Sequence, residues 1–326
     1  SEGNFEYRTD EAGKAVITKY TGSDTICHIP ETLDGRTVVS IEGSNSKSAF
    51  EDCANLQYVL LPDTIQSIGQ FAFFKCESLI SVSLPESLTS IEHSAFKDCT
   101  SLEDIVFPDA ITYIGGSAFH GCLSLQDITL PRNLEKMQAM AFAYCTALTS
   151  VFCSDSLAYI DAGTFKGCTS LKKVTLPGSL DRIGLAAFQD CKELSSIALS
   201  EHIKVIEHAA FEGCQKLDYI YIPASVEEIG VGWDGTLAFD EATTLIGPEN
   251  SCAEKYAKQY NLQNNVPISQ EDNFQVRINA DGNAVITKYL GSEAVCNVPE
   301  MLAGRKVVAI GANAFGNCTD LRYVLL

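Results

Sequence analysis

The chain has 326 residues, of which 46% are hydrophobic and 20% charged, a composition typical of a globular protein rather than a disordered one. Its 42 acidic and 23 basic residues give a net charge of −19, which argues against binding to nucleic acid or to an anionic membrane surface. No apolar run approaches the roughly 18 residues of a membrane span. The first residues are too polar for a signal peptide, so we expect that a leader was removed or was never present.

Residues 1–43 are predicted to form an N-terminal cap. A hairpin centred on Gly13 precedes a divergent coil that carries Ile29, Pro30 and Leu33. Such a segment would cover the first coil of a repeat array, which otherwise exposes an unpaired strand and an open core.

Residues 44–229 contain a repeat of 23 residues. Phenylalanine and cysteine, three residues apart, each recur eight times at this interval, and a leucine follows each cysteine after three more residues. Read from that leucine, the unit is L-x-x-V-x-L-P-x-x-[IL]-x-x-I-[GE]-x-x-A-F-x-x-C-x-x, with occasional substitutions. The phenylalanines are Phe50, Phe73, Phe96, Phe119, Phe142, Phe165, Phe188 and Phe211.

This unit predicts one coil of a solenoid. Its L-x-x-V-x-L part alternates like a short strand, and the proline that follows ends the strand. A unit of this size cannot bury its apolar side alone, whereas stacked units share a continuous core. We therefore predict a leucine-rich-repeat solenoid, a β-rich right-handed superhelix with a parallel concave sheet, an N-terminal hairpin cap and a short C-terminal helical cap.

The recurring cysteines are interpreted as packing residues. Equivalent residues of successive coils lie about 4.8 Å apart and parallel, which is slightly too far for a disulfide. The chain has no C-x-x-C pair, which argues against a metal site. We therefore expect buried, reduced thiols that pack as small hydrophobic side chains.

Residues 230–270 are predicted to form a divergent last coil and the C-terminal cap. The next Ala-Phe pair, Ala238-Phe239, comes late because five extra residues lie around the sequence VGWDG. Ser251 and Glu254 then have the spacing of a capping box at the start of a helical pattern.

Residues 271–326 are predicted to be the start of a second, truncated cap-plus-repeat module. From Phe274 the sequence repeats the N-terminal stretch at an offset of 269 residues, which becomes 265 beyond the insertion GSNSKS. The motif CANLQYVLL returns as CTDLRYVLL. We expect the last strand, RYVLL, to leave an open edge, which pairs with another chain, packs on the first module or belongs to a mobile segment.

These motifs are similar to those of the BspA-like leucine-rich-repeat surface proteins of bacteria. The resemblance rests on the 23-residue unit, on a Y-x-G…I-P…G-x-x-V-x-x-I cap and on an A-E-K-Y-A helix, and it covers nearly the whole chain. It implies a secreted or cell-surface protein without enzymatic activity, and some of its relatives act as adhesins for host matrix proteins or other cells. It implies no particular ligand-binding residue, because the family shares no ligand.

No catalytic or cofactor-binding motif is apparent. The sequence has no glycine-rich phosphate loop, G-x-S-x-G elbow, H-E-x-x-H pair or EF-hand loop. Its five histidines occupy no recurring inward position and are expected to be solvated surface residues. We therefore expect neither an enzyme nor a bound cofactor.

The outward positions of the concave sheet are the best candidates for binding. Aromatic residues dominate binding hot spots, although Tyr219 and Tyr221 could instead only cover the sheet near the C-terminal cap. An acidic rim follows the prolines and is interpreted as solvated, with weak calcium binding as the alternative. The first hypothesis is an adhesin-like contact with a protein partner, and the alternative is glycan binding. The candidate residues are Tyr58, Asp104, Asp127, Phe152, Tyr219 and Tyr221.

Overall fold

The computed structural model describes residues 3–43, 47–51, 53–248, 250–262, 264–265, 273–278, 283–292, 294–302, 305–312, 314–316 and 318–326. They form a β-solenoid with parallel sheets, which confirms the predicted fold. An antiparallel hairpin comes first along the chain. Its second strand, Ala15–Tyr20, pairs in parallel with the strand Arg36–Ile41. The strands of this cap are β1 (Phe5–Thr9), β2 (Ala15–Tyr20), β3 (Ile26–His28), β4 (Thr32–Leu33) and β5 (Arg36–Ile41).

Most coils carry one strand of three residues and one of two, but no three-residue strand lies between Ser90–Ile91 and Tyr113–Ile114 or between Arg182–Ile183 and Val205–Ile206. In chain order these strands are β6 (Tyr58–Leu60), β7 (Ser67–Ile68), β8 (Ser81–Ser83), β9 (Ser90–Ile91), β10 (Tyr113–Ile114), β11 (Asp127–Thr129), β12 (Lys136–Met137), β13 (Ser150–Phe152), β14 (Tyr159–Ile160), β15 (Lys173–Thr175), β16 (Arg182–Ile183), β17 (Val205–Ile206), β18 (Tyr219–Tyr221) and β19 (Glu228–Ile229). The last coil and its cap add β20 (Thr244–Ile246), α1 (Cys252–Tyr260) and β21 (Asn264–Asn265).

The three-residue strands form what we call the front sheet, which corresponds to the predicted concave sheet. From β6 to β18 each strand of this sheet buries its middle residue and points its two outer residues away from the core, because side chains alternate along a strand, whereas β20 under the C-terminal cap is buried throughout. Neighbouring strands are parallel and lie in register one coil apart, as in the pairing of Val151 with Val174. The sheet has three parts, β3-β6-β8, β11-β13-β15 and β18-β20-β21.

The two-residue strands form a second parallel ladder that the sequence analysis did not predict. They run as β7-β9-β10-β12, which continues from β5 of the cap, and as β14-β16-β17-β19. Each of them ends in a buried apolar residue, such as Ile91 or Ile183, which is the second apolar residue of the [IL]-x-x-I pair. The repeat pattern marked these residues as apolar, but a two-residue strand is too short to show alternation in the sequence.

The core is built around a column of stacked phenylalanine rings. From Phe50 to Phe239 the centroids of successive rings lie 4.8–5.9 Å apart, with planes within 17° of parallel. The two caps continue this column with tyrosines, since Tyr20 lies 5.2 Å from Phe50 and Tyr256 lies 6.3 Å from Phe239. An aromatic side chain therefore covers each end of the column.

The recurring cysteines from Cys76 to Cys214 lie buried beside this column, as predicted, whereas Cys53 in the first coil is half-buried. Their thiols do more than fill space, because each Sγ from Cys99 onward donates to the carbonyl oxygen of the phenylalanine in the preceding coil. For Cys122 and Phe96 the distance between these two atoms is 3.2 Å. The repeat predicted that each cysteine packs beside the preceding coil, but not which backbone carbonyl its thiol faces.

Helix α1 caps the last coil, as predicted. Ser251 is its N-cap, and the amide of Glu254 donates to the Ser251 side chain at 3.3 Å. The Glu254 carboxylate in turn accepts from the amide of Asn250 at 2.6 Å, one residue earlier than in a standard capping box. Where α1 packs on the last coil, the Tyr256 hydroxyl accepts a hydrogen bond from the amide of Ala238 at 2.9 Å.

The described residues from Asn273 onward, which we call the second module, with the residues before them as the first, repeat the geometry of the N-terminal cap. Phe274, Tyr289 and Phe315 stack at 5.3 and 5.5 Å, as Phe5, Tyr20 and Phe50 do at 5.1 and 5.2 Å. Its strands are β22 (Phe274–Ile278), β23 (Ala284–Tyr289), β24 (Val295–Asn297), β25 (Met301–Leu302), β26 (Arg305–Ile310) and β27 (Tyr323–Leu325).

Adjacent coils approach each other closely at Gly115. A Cβ atom there would lie 2.5 Å from the amide nitrogen of His93 in the preceding coil, so we expect Gly115→Ala to cost about 1–3 kcal/mol, as overpacking does. Gly178→Ala is the matched control, because nothing lies within 4 Å of its added Cβ, and it should change stability by less than about 1 kcal/mol. Urea unfolding measures both variants. Equal midpoints for the two would contradict the close approach at Gly115.

Candidate binding surface

The outward side chains of the front sheet form two rows, which we call the front face. One row joins the first residues of successive strands, as in the pairs Tyr58–Ser81 and Asp127–Ser150. The other joins their third residues, as in the pair Phe152–Thr175. Seven coil steps of about 4.8 Å separate Tyr58 from Tyr219, a distance of roughly 34 Å. The predicted binding residues therefore follow an extended face and do not converge on one pocket.

Three of the predicted residues lie on the first half of this face. Tyr58 is exposed, and Asp104 is exposed next to Ser81. Asp127 is also exposed, and its carboxylate accepts hydrogen bonds from the hydroxyls of Thr149 at 2.7 Å and Ser150 at 2.5 Å. These two hydroxyls lower the pKa of Asp127, so it carries a negative charge held in a defined orientation.

Phe152 lies at the centre of the face and is 39% exposed. The ammonium group of Lys173, on the next coil, lies 5.1 Å from the centroid of the Phe152 ring, within the range of a cation–π contact. The pair combines an apolar ring with a positive charge on a protein that is acidic overall.

Tyr219 and Tyr221 are both half-buried, and Tyr219 is already in contact with the second module. The hydroxyl of Tyr323 donates to the Tyr219 carbonyl oxygen at 2.8 Å, and the two rings meet edge to face with centroids 6.2 Å apart. The guanidinium of Arg322 lies 5.5 Å from the centroid of the Tyr219 ring. Of the outcomes expected for the last strand, packing on the first module is therefore confirmed. Burial, with a smaller contribution from Glu201, raises the pKa of Tyr221.

Several exposed apolar side chains are not among the predicted binding residues. Ile26 and Leu60 point outward from the front sheet, and Val106, in the coil between β8 and β11 where the sheet is interrupted, is 74% exposed. Their positions in the repeat were known, but nothing in the pattern separates an exposed valine from a covered one. Trp233, the single tryptophan, is 99% exposed, and its location in the VGWDG insertion was the signal that was available.

The loop that carries Trp233 is a hydrogen-bonded turn. The amide of Gly232 donates to the carbonyl of Thr236 at 2.8 Å, and the Asp234 carboxylate accepts from the amide and the hydroxyl of Thr236. These two bonds lower the pKa of Asp234. The turn therefore holds the indole away from the solenoid.

The remaining polar side chains do not point to a catalytic or metal-binding role. In the acidic rim Asp109 pairs with Arg132 at 3.4 Å. No group of three or more histidine, cysteine or acidic side chains that could hold a metal occurs within the described residues, and no described helix is long and apolar enough to cross a bilayer.

The prediction of solvated histidines is wrong for His120 and His208, which are half-buried. The centroid of the His120 ring lies 5.2 Å from that of the Tyr144 ring, and burial lowers the pKa of His120.

Comparison with known proteins agrees with this architecture. The family model for the BspA type leucine-rich repeat region, with six copies, matches residues 43–158 and 140–233. The chain belongs to this family. Members of this leucine-rich-repeat family are typically not enzymes. No curated protein matches the chain.

Two solved structures show the same fold as this BspA-type chain. A leucine-rich repeat protein of Treponema pallidum is 31% identical, with a TM-score of 0.55 over 60% of this chain and 89% of its own. A leucine-rich repeat protein from Bacteroides ovatus is 24% identical, with a TM-score of 0.65 over 98% of this chain and 80% of its own.

Proposed function

We propose that this BspA-type protein is an adhesin-like binding protein that contacts a protein partner through the front face. The observation that carries this proposal is the set of exposed apolar side chains that are spread along the front face over a packed core, namely Tyr58, Leu60, Val106 and Phe152. Aromatic anchors on a rigid surface lose little conformational freedom on binding and dominate interface energies. A surface of this length suits a macromolecule better than a small ligand.

The charge of the chain narrows the class of partner. Because this chain has a net charge of −19, it would repel a strongly acidic partner during encounter, but not a partner with a basic or neutral surface. The family resemblance supports a location outside the bacterial cell, either secreted or at the surface. It also supports a host matrix or cell-surface protein as the partner.

The test begins with binding of the full chain to panels of purified matrix proteins and of glycans. For a protein that binds, Phe152→Ala should weaken the affinity about 30-fold or more, which corresponds to the 2 kcal/mol of an interface anchor. Tyr144→Ala is the matched control, since Tyr144 is also 39% exposed but lies in the A-F-x-x-C turn, away from the front sheet. It should leave the affinity nearly unchanged.

An equal loss in the two variants would place the partner elsewhere on the solenoid. Binding confined to the glycan panel, and weakened by Phe152→Ala, would support the alternative function of a glycan-binding module. Cleavage of any panel member would contradict a purely binding role.

A further inference from the structure

The internal duplication places one strand in two different environments. Strand β6 pairs with β3 in the first module, and β27 pairs with β24 in the second, with Tyr58 and Tyr323 at the same position of the two strands. We call Ile26, Tyr58 and Leu60 the opening patch. Its counterpart in the second module consists of Val295, Tyr323 and Leu325.

The second of these patches has a binding partner within the chain. Tyr323 donates its hydroxyl to the Tyr219 carbonyl and packs its ring against the Tyr219 ring, while Arg322 adds its guanidinium to that ring. All three residues of this patch are buried or half-buried. The contact thus combines a hydrogen bond, an aromatic pair and a cation–π interaction on one tyrosine.

The carbonyl of Tyr219 is available because the front sheet is interrupted beside it. Residues 195–199 form no strand, and within this fully described stretch no backbone hydrogen bond joins them to β18. On the other side of β18, Asp218 and Ile222 bond to β20. Since alternate residues of a parallel strand bond to opposite neighbours, the Tyr219 carbonyl points into the interruption. We call β18 along this interruption the Tyr219 edge.

The opening patch has the same chemistry and no partner within the described chain. Its residues Ile26, Tyr58 and Leu60 are 50%, 39% and 40% exposed, although all three counterparts in the second module are covered to a greater extent. One difference is that Gln57 stands where the second module has Arg322. The opening patch can therefore offer the aromatic ring and the hydroxyl, but not the positive charge.

We propose that the opening patch of one molecule docks on the Tyr219 edge of a second copy, and that the second module prevents this by covering that edge in its own chain. The contact within the chain prevails because it has the additional Arg322 interaction and a high effective concentration. An interface between two different patches of the same protein builds head-to-tail chains or rings. This proposal does not depend on the front face having another ligand.

The test uses the full chain with Arg322→Ala and Tyr323→Ala together, which uncovers the Tyr219 edge. Sedimentation velocity should show a wild type that stays monomeric and a double variant whose average mass rises with concentration. Adding Tyr58→Ala should weaken that association at least about tenfold, as for loss of an aromatic anchor. Adding Phe152→Ala, the control on the same sheet, should leave it unchanged, and adding Gln57→Arg should strengthen it.

Two results would overturn the proposal. One is a correctly folded double variant, as judged by circular dichroism, that stays monomeric at every concentration at which the wild type is soluble. The other is an association that Tyr58→Ala and Phe152→Ala affect equally. If the double variant is unstable, Tyr323→Phe removes only the hydroxyl and should cause weaker association in the same direction.

Discussion

Replacement of Phe119 by alanine is expected to lower the free energy of unfolding by about 3–5 kcal/mol, as large core truncations do. The Phe119 ring is fully buried, and it stacks between Phe96 at 5.1 Å and Phe142 at 5.0 Å. Phe107 meets its edge at 5.5 Å. The resulting cavity cannot close easily, because the amide of Phe119 donates to the carbonyl of Ala141 at 2.7 Å and holds the two coils at a fixed spacing.

Urea unfolding followed by circular dichroism measures this loss. Phe152→Ala is the control, since the same residue type is removed from the exposed face of the sheet and should cost less than about 1 kcal/mol. Because each coil contacts only its neighbours, the slope of the transition should be compared as well as its midpoint. A loss below about 1 kcal/mol for Phe119→Ala would mean that the phenylalanine column does not support the fold.

The column cysteines are expected to react with a thiol reagent only after the solenoid unfolds. Burial raises the pKa of Cys76 and of Cys145 to about 12, from an ordinary value of 9.0. A rise of three units lowers the reactive thiolate population about a thousandfold at neutral pH. We expect no rapid labelling from Cys76 to Cys214 in the native protein, and full labelling in denaturant. Rapid native labelling of these sites, mapped by mass spectrometry, would contradict a buried column.

The same shift makes the fold sensitive to alkali. Because the pKa of Cys145 is higher in the folded than in the unfolded state, its contribution to stability is complete below pH 9 and is lost as the pH rises towards 12. Each such cysteine should reduce stability by about 1.4 kcal/mol per pH unit in that window. Cys145→Ser keeps a donor for the Phe119 carbonyl but does not titrate there, so its unfolding midpoint should fall less between pH 9 and pH 11. An identical fall in both proteins would contradict this linkage.

The sequence by itself determined the solenoid, its core and its caps. A fixed period of 23 residues requires equivalent residues of successive coils to stack, so the burial of Phe119 and Cys122 followed from spacing alone. The helix at the C-terminal cap was also evident, because Ser251 and Glu254 carry a local capping signal. The boundaries of the modules and the ligand-binding residues remain predictions, since a surface position shows its chemistry but not its partner.

Only the tertiary structure decided which outward residues are covered. Tyr58 and Tyr323 occupy the same position of a duplicated strand, yet one is exposed and the other contacts Tyr219, 104 residues away in the chain. The interruption of the front sheet at residues 195–199, which leaves the Tyr219 carbonyl accessible, was not predictable from the repeat, because Ser200 replaces the usual proline there but Ser154 does so after the intact strand β13. A repeat pattern specifies contacts between adjacent coils because they recur at one spacing. Contacts between modules occur once, and they depend on how two folded surfaces meet.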